Sequence, residues 1–103
     1  MRAVRFSITA RDQLAQLLAQ GVPKYGPAMV AQKRDLVFEV IDNFLVHHPR
    51  AKQPDPKLGL VVYPISNTPF AVLYEFDDLE LRIHFIVPAS SHLTEIDPLS
   101  AEW

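Results

Sequence analysis

The sequence predicts an α+β domain of order β-α-α-β-β-β, with a two-helix hairpin packed on one face of a mostly antiparallel four-stranded sheet. Three observations lead there. The first residues alternate apolar and polar. A middle stretch carries apolar residues at helical spacing, interrupted by glycine and proline. Three further alternating runs then follow one another with short turns between them. At 103 residues, 49% of them hydrophobic, the chain suits one domain spanning 1–103, with enough apolar mass for a real core.

In Arg2 to Ile8, Val4, Phe6 and Ile8 face one way and Arg5 and Ser7 the other, the period of a half-buried strand. Thr9-Ala10-Arg11-Asp12 reads as a helix start, with the hydroxyl accepting an orphan N–H and Asp12 complementing the dipole. Leu14, Leu17 and Leu18 continue at helical spacing, and Gly21 is placed for a stop. Val22 to Gly26 is the predicted turn. Pro27 suits the first turn of a second helix, where its missing N–H would be unpaired anyway. Val30, Leu36, Val37, Val40, Ile41, Phe44 and Leu45 form that helix's apolar stripe, and Pro49 ends it. Ala51 to Lys57, with Pro54 and Pro56 among charges, is a loop. Strands are expected over Leu58 to Ile65, Phe70 to Phe76 and Leu79 to Val87, with Asp77-Asp78 as a hairpin turn. In the last strand Leu81, Ile83 and Phe85 are expected under the helices, leaving Arg82 and His84 on an open face. Residues 90–103 read as an irregular tail, with a helical turn starting at Pro98.

Composition excludes several function classes. Ten Lys+Arg against twelve Asp+Glu give a net charge of −2, the wrong balance for a generic nucleic-acid binder. The absence of cysteine removes disulfide scaffolds and thiolate metal sites. Arg2 and Arg5 precede no apolar h-region, and no apolar run approaches the roughly 18 residues of a membrane span. A cytoplasmic protein with no membrane association is expected. No cofactor motif is present. His47 and His48 make a poor metal pair, because neighbouring helical residues point about 100° apart.

The element order, together with Val4-Arg5-Phe6-Ser7 leading into Thr9–Leu14, the closing run Phe44–Arg50, the aromatic stretch Pro69–Phe76 and the strand Leu81–Ile86, resembles the RelE/ParE superfamily of bacterial toxins from type II toxin–antitoxin modules, of the plasmid stabilisation type. The resemblance implies a growth-inhibiting toxin neutralised by a cognate antitoxin protein, with no cofactor. It implies two targets: gyrase, met by protein contact, or ribosome-bound mRNA, cut as an endoribonuclease. Where the ribonucleases often carry a histidine-and-arginine run, this chain reads Val87-Pro88-Ala89-Ser90-Ser91-His92. The gyrase-inhibiting branch is therefore the leading expectation, with a diverged, non-toxic binding module as a further alternative and a homodimer left open.

Two sets of residues follow from this. For a ribonuclease, Arg50, Lys57 and Arg82 would clamp phosphates, and His84 and His92 would move protons. The bland counterparts are a solvated Pro-rich loop for Arg50 and Lys57, and a cross-strand ion pair of Arg82 with Glu75 or Glu80. For protein contact, Lys24 and Tyr25 in the helical hairpin and Trp103 in the tail are the expected contact residues, Trp103 serving either as a partner anchor or as a staple on the sheet.

Overall fold

Ser7 decides where the first strand gives way to helix. In the computed structural model, which describes residues 2–103 and leaves Met1 outside, β1 (Ala3–Phe6) leads through Ser7 into a long helical segment, α1 (Ile8–Val40). The Ser7 hydroxyl accepts from the Ala10 N–H at 2.8 Å and donates to the His84 carbonyl at 2.6 Å. The cap is therefore Ser7 rather than the expected Thr9, because the chain leaves the sheet there. Thr9 Oγ1 instead accepts from the backbone N–H of Glu102 at 2.9 Å.

The expected helical hairpin is present and turns within the expected Val22 to Gly26 segment, but its first arm does not stop at Gly21. Gly21 lies inside the helix, and the break falls at Gly26, with φ 81° and ψ 158°. Only glycine adopts that backbone region readily, and Pro27 disfavours helical dihedrals in the residue before it. Gly21 serves close approach instead: a Cβ there would lie 3.2 Å from Val30 Cγ2. Nine residues of straight helix would separate the two by about 13 Å, so the arms 8–25 and 27–40 fold back on each other. The second arm widens into a π-helical turn, Ile41–Leu45, where the Val46 N–H donates to the Ile41 carbonyl.

The remaining strands are β2 (Val61–Pro64), β3 (Phe70–Phe76) and β4 (Glu80–Pro88), and the sheet order is β1-β4-β3-β2. β2–β3 and β3–β4 are antiparallel, but β1 runs parallel to β4, with Val4 opposite Leu81 and Phe6 opposite Ile83. The sheet is thus mixed. β1 reaches its partner through the helices rather than a tight turn, and a crossover of that kind permits parallel pairing. β2 begins at Val61, not Leu58, because the preceding residues form a turn. Asp55 Oδ1 accepts from the Lys57 and Leu58 N–H groups, and Gly59 takes φ 70°.

A bulge in β4 has the largest structural consequence. Leu73 pairs with Phe85 but Tyr74 pairs with Ile83, which leaves His84 as the extra residue. Its carbonyl goes to Ser7, and the Ile86 N–H donates to Gln13 Oε1 at 2.9 Å. Beyond the bulge the alternation is inverted. Leu81, Ile83 and Ile86 pack under the helices with Ala10, Leu14, Val37 and Ile41, whereas Phe85 and Val87 join Leu58, Leu60, Ala71 and Leu73 on the opposite face. The expected placement of Phe85 beside Ile83 is corrected by this one-residue insertion.

The expected open face is also corrected. Leu93, Ile96 and Ala101 of the segment after β4 pack over the second cluster. The short helical turn in that segment is a 3-10 turn at Leu93–Glu95. Near Pro98 there is only a tight turn, in which Asp97 Oδ1 accepts from Leu99 N–H and the Asp97 carbonyl accepts from Ser100 N–H.

Candidate functional site

Two surfaces carry the residues singled out by the sequence. The first is a groove of about 750 Å³ between the helical hairpin and the end of the sheet. Leu17, Leu18, Met29, Val30 and Phe70 give it an apolar floor, and Lys24, Tyr25 and Lys33 stand on its rim. Tyr25 is 62% exposed and Met29 is exposed with it, although both are large apolar side chains. Lys33 Nζ donates to the Asn67 carbonyl at 2.6 Å, tying the second arm to the turn before β3. Lys24 and Tyr25 are thus brought together on one groove, and Trp103 lies elsewhere. The groove itself was not legible in the sequence, because Val30 from the second arm and Phe70 from β3 meet there only in the folded chain.

The second surface is the face of β4 away from the helices. Arg82 is held by three carboxylates: Nε donates to Glu75 at 2.7 Å, and Nη1 to Asp77 at 2.8 Å and to Glu80 at 3.0 Å. Its side chain is only 20% exposed. The hydrogen bonds to Asp77 and Glu75 hold the guanidinium in its charged form more firmly than usual. Asp77 is correspondingly pulled down to about 2, first by Arg82 and then by the backbone N–H groups of Glu80 and Leu79. With three carboxylates around one guanidinium, this corner is acid-rich, and Nε and Nη1 already have partners.

His84, on the same face, lies 3.6 Å from Glu75 Oε2, beyond hydrogen-bonding distance, and both ring nitrogens are buried without a partner. The indole of Trp103 meets the imidazole edge-on, with centroids 4.8 Å apart, and the Arg5 guanidinium lies over the same indole at 5.1 Å. Burial pushes the His84 pKa below the ordinary histidine value, outweighing the nearby Glu75 carboxylate, which raises it.

The other expected ribonuclease residues do not gather here. Arg50 lies over the Phe76 ring at 5.1 Å, and Phe76 packs with the helix-side core. Lys57 sits in the turn before β2, and His92 is exposed just before the 3-10 turn. Only Arg82 and His84 share a face. Among the described residues no cluster of histidines and carboxylates is arranged to hold a metal ion, and no helix is long and apolar enough to cross a membrane.

No family model matches the sequence, and no curated protein does. The arrangement of a helical hairpin on a β1-β4-β3-β2 sheet is that of a known fold. A chain of the solved structure "Chromosomal ParDE TA system from P. aeruginosa" superposes with a TM-score of 0.71, at 20% identity, over 85% of this chain and 96% of that one. The two chains share the fold.

Proposed function

We propose that this chain is the toxin of a type II toxin–antitoxin module, a bacterial cytoplasmic protein that inhibits growth by protein contact, as the gyrase-inhibiting branch does, and is neutralised by an antitoxin. The shared fold with a ParDE structure supports the class. The observation that carries the choice within it is the state of Arg82. A phosphoryl-transfer site needs cations free to clamp charge as it develops, and this guanidinium is already bound by Glu75, Asp77 and Glu80. The groove beneath Tyr25 and Met29 supports protein contact. Its apolar floor and lysine rim suit an amphipathic antitoxin segment with acidic flanks.

Inducing the chain alone in a bacterial host should arrest growth, and co-expressing the antitoxin should restore it. In the arrested cells DNA supercoiling activity is lost while mRNA stays intact. Normal growth on induction would overturn the toxin reading. Ribosome-dependent mRNA cleavage abolished by Arg82→Ala and His92→Ala would overturn the choice of branch.

A further inference from the structure

Glu102 and Trp103, in the segment after β4, lie against the start of α1. The Glu102 carbonyl accepts from the Ile8 N–H at 2.6 Å and the Thr9 N–H at 3.4 Å, and the Glu102 N–H donates to Thr9 Oγ1 at 2.9 Å. These bonds supply partners for N–H groups that a helix start leaves open. They also set the next residue, Trp103, on His84 and Arg5. The contact has an internal conflict. It shuts the imidazole away from water while giving neither of its nitrogens a hydrogen-bond partner, a desolvation that normally has to be compensated.

We propose that Glu102 and Trp103 form an acid-sensitive latch over the β1–β4 corner of the sheet, closed while His84 is neutral and released when His84 takes up a proton. The charged groups around the imidazole explain the direction. From β3, Glu75 offers Oε2 at 3.6 Å, but its Oε1 is already bound to Arg82. From β4, Arg82 opposes a second positive charge. From β1, Arg5 already lies over the indole, so an imidazolium would bring a second cation to the same ring. At the start of α1 the Ser7 hydroxyl is engaged with the His84 carbonyl and Thr9 Oγ1 with the Glu102 N–H. A protonated His84 has two N–H donors and gains water for them only if the indole leaves. Burial under the indole lowers the affinity of the closed form for a proton, so by linkage protonation favours the open form. Release would uncover His84 and the Thr9 hydroxyl together.

Trp103 is the only tryptophan in the sequence, so intrinsic fluorescence reports the latch directly. Between about pH 8 and about pH 5.5, the emission maximum should move to longer wavelength and acrylamide quenching should rise from that of an indole already 38% exposed, with the far-UV circular dichroism unchanged. His84→Gln should abolish that response. Thr9→Val, which removes the hydroxyl anchor, should leave Trp103 more quenchable at the higher pH. An unchanged emission maximum across this range in the folded protein, an undiminished response in His84→Gln, or a red shift that coincides with loss of helix signal would each overturn the latch.

Discussion

Ser7 joins three elements through one oxygen. It caps α1 at the Ala10 N–H and donates to the carbonyl that the β4 bulge at His84 leaves without a ladder partner, and it is fully buried. Removing the hydroxyl strands a buried donor and a buried acceptor. Ser7→Ala should therefore cost about 1–3 kcal/mol, read as a lower urea midpoint with an unchanged slope. Asp77 acts through charge. Its carboxyl is held at about 2 against an ordinary 3.8, so the folded state binds fewer protons than the unfolded one between those values. The stability it contributes is present above about pH 4 and is lost as pH falls towards about 2. Urea unfolding across that range should show the loss in the native sequence and a flatter profile in Asp77→Asn. At this scale the sequence was only half legible. Serine and threonine both cap helices, and strand alternation places Ser7 in β1, so the choice between Ser7 and Thr9 depends on where β4 bulges.

The helical hairpin and its turn over Val22 to Gly26 were legible, and the role of Gly21 was not. Two glycines and two prolines fall within 21–27, and either glycine could end a helix. Packing separates them: Gly21 makes room for Val30, and Gly26 has nothing within 4 Å of where a Cβ would stand but takes a conformation closed to other residues. Gly26→Ala should cost about 1–3 kcal/mol through backbone strain alone, lowering the melting midpoint while leaving the rest of the helix signal intact. Should the variant melt like the native protein, the hinge would have to lie elsewhere. The bulge in β4 was hidden for a different reason. The sheet buries apolar residues on both faces from Phe85 onward, so a one-residue slip there replaces one apolar side chain with another and leaves no mark in the alternation. Tyr74 shows the value of the surrounding register. Its hydroxyl donates to the Pro49 carbonyl, and burial, with Tyr63 nearby, pushes its pKa up to about 12.

Across the whole molecule, the sheet is covered on one side by regular helices and on the other by irregular chain. Periodicity therefore revealed the first layer and not the second. Leu58, Leu60, Leu93, Ile96 and Ala101 follow no common spacing, yet they enclose Ala71, Leu73, Phe85 and Val87. For the same reason Trp103 could be named as a staple or anchor but not placed on His84, since only the tertiary path brings residue 103 to the start of α1. The irregular layer contributes to stability as a core does. Leu73 is fully buried in it, so Leu73→Ala should cost about 2–5 kcal/mol, the same range as Leu81→Ala beneath the helices. If that face were open sheet surface, the first substitution would cost no more than about 0.5 kcal/mol. Chemical denaturation of the two variants side by side distinguishes the cases. Deleting 90–103 uncovers Phe85 and Val87 and should lower the melting temperature and increase binding of a hydrophobic dye. Trp103→Ala removes only the indole on His84 and Arg5 and should leave the unfolding slope and dye binding as they are.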